Sequence, residues 1–220
     1  GFTGDYFMAP LFVDDEYRDY EGSVLFVDPS GRGKDETAWA VVKVLNGYFW
    51  VTHTGGYTGD QAEAMRHVAE AARDQRVNLI LVEPNYAGQV WIQAFQPILQ
   101  RVWPGKRGEP GGCRVEEAAW SRSQKEVRII ETLEPLMNQH RLIVDESVAR
   151  DQTLMYQLTH ITRERNSLTH DDRVDALAGA VAHFVNQMAV DAEKQRQNYI
   201  DDALQAMIDD FMDTIEAGPM

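Results

Sequence analysis

The sequence predicts an α/β fold in which helices flank a mixed β-sheet, with the first strands antiparallel and the later strands parallel. Two β-rich runs, residues 37–45 and 48–54, meet at an Asn-Gly pair, which is the strongest short signal of a hairpin. The apolar runs 23–28 and 77–83 each end in an acid and are typical of buried strands. Because a hairpin comes first, the order differs from the strict alternation of a doubly wound nucleotide-binding fold.

The remaining elements follow from apolar periodicity and turn residues. Pro97 predicts a kink or an early break in the second of the expected helices. Two more strands are expected, at residues 113–120 and 141–145. Helices are expected at residues 59–76, 88–102, 123–139, 147–162, 170–188 and about 191–216.

The charge of the chain is unevenly distributed. Its formal net charge of −14 argues at first against a nucleic-acid partner. Residues 1–22 carry −5 and residues 186–220 carry −6, so the body between them is close to neutral and can present basic surface to DNA. We expect an irregular acidic lead-in at 1–22, a folded domain at 23–187 and an acidic amphipathic helix or tail at 188–220.

Two compositional features bear on the cellular compartment. The single cysteine, Cys113, excludes an internal disulfide framework and fits a reducing compartment. No stretch approaches the roughly 18 apolar residues of a membrane span, so we expect no membrane partner.

Carboxylates close two of the predicted strands and open a predicted helix. Asp28 and Glu83 each end an apolar strand and precede a proline, and parallel neighbours would project both acids at one sheet edge. Asp171, Asp172 and Asp175 crowd the start of helix 170–188. Such crowding is costly unless a cation lies between the acids, and oxygen ligands favour Mg²⁺ or Mn²⁺. Two such ions about 4 Å apart form the usual clamp for phosphodiester cleavage.

Each acid alone has a simpler interpretation, as a turn residue or a helix N-cap. Their conjunction favours the metal site. For the third ligand we assign Asp172, because Ala176 and Gly179 lie behind it on one stripe and small residues let a helix approach a sheet. Asp175, one turn on, is an alternate ligand or a residue that orients the others.

The segment "GRGKDE" after Asp28 is not an ATP-binding phosphate loop. Asp28 stands where a Walker loop has its first glycine, and Asp35 follows the lysine where Ser or Thr is needed. Arg32 and Lys34 are candidate contacts for a DNA phosphate, or solvated loop charges, and Asp35 either approaches the metals or caps the turn.

Lys125 and Arg128, one turn apart on helix 123–139, have the same two interpretations. They are either DNA contacts or solvated charges of a helix surface.

Four segments, "DPSGRGKDETAWAVV", "EPNYAG", "KEVRIIETLEPLMNQHRLIV" and "LTHITRERNSLTHDDRVDALA", resemble the nuclease domain of the large terminase subunit of short-tailed bacteriophages. The resemblance implies a ribonuclease H-like fold, two divalent metal ions and endonucleolytic cutting of concatemeric double-stranded DNA. It implies Asp28, Glu83 and Asp172 as the catalytic acids.

The resemblance also implies partners and a place of action. These are viral DNA, a portal protein, a small terminase subunit and an N-terminal packaging ATPase of the same native chain, in the host cell cytoplasm. No segment here matches that ATPase. Two alternatives stay open, a non-catalytic module that docks on a portal through its acidic tail and a resolvase-like nuclease of the same fold.

Overall fold

The computed structural model describes residues 19–30, 36–84, 88–105, 111–119 and 123–216. Its strands are β1 (Gly22–Asp28), β2 (Thr37–Leu45), β3 (Tyr48–Tyr57), β4 (Leu79–Val82), β5 (Arg114–Glu117) and β6 (Leu142–Val144). Its helices are α1 (Gln61–Gln75), α2 (Gly88–Val102), α3 (Lys125–Asn138), α4 (Glu146–Ala149), α5 (Gln152–His160) and α6 (Asp172–Glu216).

The strands form one mixed sheet in the order β5-β4-β1-β2-β3-β6. Strands β1, β2 and β3 are antiparallel neighbours, whereas β4 runs parallel to β1, β5 to β4 and β6 to β3. The predicted fold class is therefore confirmed. Since β1 and β4 are parallel with Val27 opposite Val82, their carboxyl ends meet at one edge of the sheet.

The predicted hairpin between β2 and β3 turns at Asn46 and Gly47. Their φ angles of 52° and 74° lie in the left-handed region that a two-residue hairpin turn requires. The carbonyl of Gly47 accepts hydrogen bonds of 2.8 and 2.6 Å from the Arg141 guanidinium, which ties the turn to the residue before β6.

Strand β1 is buried on both faces of the sheet. Leu25 and Val27 pack in a hydrophobic cluster with residues of α1 and α2. On the other face Phe26 meets α6 at Gly179, where an added Cβ would lie 2.6 Å from the Phe26 ring. The absent side chain lets the helix lie close to the strand, as the small-residue stripe predicted.

Several boundaries differ from the sequence prediction. Helix α2 continues through Pro97, which lies on its exposed side, so the predicted break is wrong. The expected helix 147–162 is instead α4 and α5, because Asp151 caps α5 by accepting a hydrogen bond from the Leu154 N–H. The last two predicted helices are one helix, α6, since Ala189 and Val190 between them do not interrupt a helix.

The chain divides into two compact units, residues 1–182 and 183–220. The predicted lead-in falls largely on residues 1–18, outside the described residues. The second unit contains the rest of α6, in which Tyr199, Ile200 and Leu204 are exposed. Within the described part of the chain, no helix is both long and apolar enough to cross a membrane.

Candidate metal centre

Three carboxylates converge at the carboxyl edge of β1 and β4. Asp28 ends β1, Glu83 directly follows β4, and Asp175 lies in the first turn of α6. Each contributes one oxygen atom, and the three oxygens lie within 4.8 Å of one another. Asp28 and Asp175 are only 8% and 2% exposed, and Glu83 is half-buried.

The backbone brings these residues together. The Glu83 N–H donates to the Val27 carbonyl at 2.9 Å, so the parallel pairing continues past the end of β4 and sets Glu83 beside Asp28. The close approach of α6 to β1 at Gly179 lies one helical turn beyond Asp175. All three acids therefore stand on regular elements or directly at their ends.

Crowding changes the proton affinity of the site. Burial raises the pKa of Asp28 well above its ordinary value, and the hydrogen bond and negative charge of Glu83 raise it further. The positive charge of Lys125 opposes this rise. In metal-free protein Asp28 thus keeps a proton to a higher pH than a solvated aspartate does.

Lys125, the first residue of α3, offsets part of this negative charge. Its Nζ lies 2.9 Å from Asp171 Oδ1 and 3.1 Å from Asp175 Oδ2. Burial alone would lower the pKa of Lys125, but the carboxylates of Asp175, Asp171 and Asp28 raise it above its ordinary value. The ammonium group therefore stays charged beside the acids.

Arg128, one turn further along α3, pairs with the same cluster. Its guanidinium donates to Asp175 Oδ1 at 2.5 Å and lies 3.9 Å from Glu83 Oε1. Lys125 and Arg128 are thus neighbours of the acids and not solvated charges of a helix surface. Their predicted contact with DNA stays a prediction.

The donor set fits a hard divalent cation. All three groups offer carboxylate oxygens, the ligands that Mg²⁺ and Mn²⁺ prefer. The buried Asp175 Oδ2 accepts no hydrogen bond within the described residues, although Lys125 Nζ lies 3.1 Å away. Asp28, Glu83 and Asp175 are therefore the residues that would hold an ion.

Asp172, the predicted third ligand, is not one of these three acids, and its role as a ligand stays a prediction. It is half-buried one turn before Asp175, and its charged neighbours are Lys125, Asp171, Glu36 and His170. Asp172 and Asp175 are only about 60° apart around the helix but about 4.5 Å apart along it. Both therefore lie on one side of α6, and it is Asp175 whose carboxylate reaches Asp28 and Glu83. Asp172 is a neighbour of the group formed by Asp28, Glu83 and Asp175.

A second charge cluster holds the start of α6 and was missed from the sequence. The Arg173 guanidinium donates to both carboxylate oxygens of Glu36, at 3.0 and 2.6 Å, and to Asp151 Oδ1 at 2.8 Å. Asp151 in turn accepts a hydrogen bond of 2.8 Å from the Thr54 hydroxyl. The first turn of α6 is thereby tied to β2, β3 and α5.

One feature of the sequence could have drawn attention to Arg173, because a cation in the first turn of a helix opposes the helix dipole and needs another role. In the structure Gly56 lies beside its partner Glu36, where a Cβ would overlap the Glu36 carboxylate. Arg173 and Asp175 are about 200° apart around α6, so Arg173 anchors the side of the helix opposite the acids.

Three predicted site residues, Arg32, Lys34 and Asp35, lie outside the described residues.

Comparison with known proteins identifies the family that this chain matches. Residues 27–142 match the family described as Terminase Bacteriophage T7, Ribonuclease H-like domain. The large terminase subunit of Enterobacteria phage T3 is 31% identical in an alignment of 210 positions that covers 88% of this chain and 34% of that protein. The chain thus spans about a third of the length of this relative.

Solved structures share the fold at lower identity. The Mn-soaked human cytomegalovirus terminase nuclease domain superposes with a TM-score of 0.50 at 14% identity, covering 74% of this chain and 83% of that one. The nuclease domain of the large terminase subunit gp2 of bacterial virus Sf6 gives 0.51 at 14% identity, covering 75% and 90%.

The convergence of Asp175, and not Asp172, with Asp28 predicts unequal effects of two matched substitutions. Asp175→Asn should weaken Mn²⁺ binding by at least about 10-fold, because it removes a negatively charged ligand and leaves the charge of Arg128 less compensated beside the site. Asp172→Asn should change it by less than about 3-fold. Isothermal titration calorimetry on folded variants measures both, and the reverse order would contradict the geometry.

The raised pKa of Asp28 predicts a pH-dependent stability without metal. The proton on Asp28 contributes stability that is fully present below its ordinary pKa of 3.8 and is lost as pH rises through the higher folded value. In EDTA, Asp28→Asn should therefore have a higher free energy of unfolding than the native protein at pH 8, with the difference vanishing near pH 4. Urea unfolding across this range measures it. A variant that is less stable at pH 8 would show that the Asp28 charge is compensated.

Proposed function

This chain belongs to the terminase family with the ribonuclease H-like domain of the bacteriophage T7 type, and on that premise we propose that it is a divalent-metal-dependent endodeoxyribonuclease that cuts concatemeric viral DNA during genome packaging. It is the nuclease domain of a large terminase subunit. The observation that supports metal-dependent cutting is the convergence of the Asp28, Glu83 and Asp175 carboxylates.

In the proposed reaction two Mg²⁺ or Mn²⁺ ions supply an activated water and stabilise the leaving oxygen of the phosphodiester. The residues of the chain would hold these ions and orient them. Asp28 and Glu83 present their oxygens from the ends of two paired parallel strands, which fixes their separation. Asp175 completes the set from α6, and its charged form is favoured by Arg128 at 2.5 Å.

The cations of α3 have a second task in this scheme. With no ion bound, Lys125 and Arg128 offset the charge of Asp171, Asp175 and Glu83. Their side chains are partly exposed and lie beside the acids, so their positive charge would also reduce repulsion between the site and a DNA phosphate.

The wider setting of the enzyme is part of the same proposal. Its partners would be double-stranded viral DNA, a portal protein, a small terminase subunit and an ATPase domain of the native chain, in the host cytoplasm. The relative of about three times this length supports further domains. The single cysteine, Cys113, fits a reducing cytoplasm.

The proposal predicts nicking of supercoiled plasmid that depends on Mn²⁺ or Mg²⁺ and stops in EDTA. Asp28→Asn should slow nicking by at least about 100-fold, since even residues that only support metal ligands are worth 10–100-fold. Its DNA affinity should be unchanged or improved, because a negative charge is removed. Asp74→Asn, which changes an exposed acid, is the matched control and should cut at the native rate.

Gel quantification of nicked and linear plasmid measures these rates. Cutting in EDTA, or cutting by Asp28→Asn at the rate of the control, would contradict a metal-dependent nuclease centred on Asp28.

A further inference from the structure

The connection between α5 and α6 forms an exposed basic turn, residues 162–167. The side chain of Arg163 is 64% exposed and reaches only 3.7 Å from Glu134, itself on the surface. Arg165 is exposed and has no ion-pair partner within the described part of the chain. Glu164 between them is the only acid in the turn. Arg163 is paired with Glu134 and Arg165 is exposed to solvent, and the residues of this turn together carry a net charge of +1 in a chain with a net charge of −14.

This turn is held in a defined shape by the domain. The Ser167 hydroxyl accepts a hydrogen bond from the Thr162 N–H at 3.1 Å and donates to the Thr162 carbonyl at 3.3 Å. Asn166 has a φ of 55°, and its N–H donates to the Glu126 carboxylate at 2.6 Å. Glu126 is buried, and burying a carboxylate is costly unless it accepts hydrogen bonds. A buried acid thus fixes the backbone that carries the two arginines.

The same turn of α3 that holds the basic turn also reaches the metal centre. Gln124 donates to the Arg163 carbonyl at 3.0 Å, and Glu126 accepts from Asn166. Lys125, between them, contacts Asp175. Consecutive residues at the start of α3 therefore contact the basic turn and the metal centre.

A nucleic-acid strand carries a phosphate at every nucleotide. A strand that reaches the carboxylates therefore also offers phosphates to basic groups beside the metal centre.

Other cations near the site are already engaged. Lys125 and Arg128 pair with Asp171 and Asp175, and Arg173 is shared by Glu36 and Asp151. Within the described residues around the metal centre, Arg163 and Arg165 are the arginines whose guanidinium groups face solvent.

We propose that Arg163 and Arg165 bind the phosphate backbone of the substrate DNA beside the metal centre. The inference rests on the proposed nuclease function and adds a contact surface to it. The turn positions DNA and does not read sequence, because phosphate contacts carry no base information. The alternative partner of this turn is an acidic protein segment, which carries negative charge as DNA does.

The test measures binding of a 30-base-pair duplex by fluorescence anisotropy over a range of salt concentrations. All variants carry Asp28→Asn, so that no cutting occurs. Arg163→Gln with Arg165→Gln should weaken binding at least about 10-fold near 0.1 M salt. It should also reduce the slope of log K against log salt by about 1.8, because each phosphate that an arginine neutralises adds roughly 0.9 to that slope.

A matched pair of arginines serves as control. Arg101 in the last turn of α2 and Arg114 at the start of β5 are also exposed, but lie at the amino-terminal edge of the strands, opposite the acids. Arg101→Gln with Arg114→Gln should leave affinity and slope unchanged. Arg163→Lys with Arg165→Lys keeps both positive charges and should retain the slope of log K against log salt. This result would show that the glutamine variant binds more weakly because it lacks charge and not because it is misfolded.

The outcomes separate the inference from the function beneath it. If the native chain nicks plasmid but the Arg163 and Arg165 glutamine variant binds DNA with the affinity and slope of its parent, the inference is wrong and the nuclease stands. If the Arg101 and Arg114 glutamine variant binds DNA equally weakly, the inference is also wrong, because the loss of affinity would then follow from the change in net charge alone. If the native chain neither binds nor cuts DNA, the proposed function fails and the inference fails with it.

Discussion

The crowding of three carboxylates at one sheet edge is the constraint on which the surrounding structure depends. Asp28 and Asp175 are almost fully buried and share their surroundings with Glu83, so each negative charge raises the cost of the others. Lys125 and Arg128 offset that cost from α3. The two cations therefore reduce the repulsion within the cluster, whose carboxylate oxygens can still act as ligands for an ion.

Helix α6 is fixed from two sides, which sets the position of Asp175. On one side Gly179 allows close contact with Phe26 of β1. On the other, Arg173 joins the first turn to Glu36 and Asp151, and the buried Gln157 accepts a hydrogen bond of 2.9 Å from the Val174 N–H. A ligand carried on a helix held in this way keeps its geometry better than one carried on a free loop.

The sequence predicted the parts of the site that depend on local pattern. Asp28 and Glu83 could be found because strands 23–28 and 77–83 are short, apolar and followed by prolines, and parallel pairing then fixes where their ends meet. The choice between Asp172 and Asp175 could not be made, because both lie on stripes of small or apolar residues and the buried face of α6 includes both stripes. Arg173 and Glu36 are 137 positions apart in the sequence, so no local sequence pattern could predict their contact.

The structure of the protein with Mn²⁺ bound, with the ion located by its anomalous X-ray scattering, tests the central claim most directly. We predict a manganese peak with oxygen atoms of Asp28, Glu83 and Asp175 at roughly 2.0–2.3 Å. The Arg128 guanidinium would remain beside Asp175. A manganese ion held by Asp172, with Asp175 still paired only to Lys125 and Arg128, would contradict it.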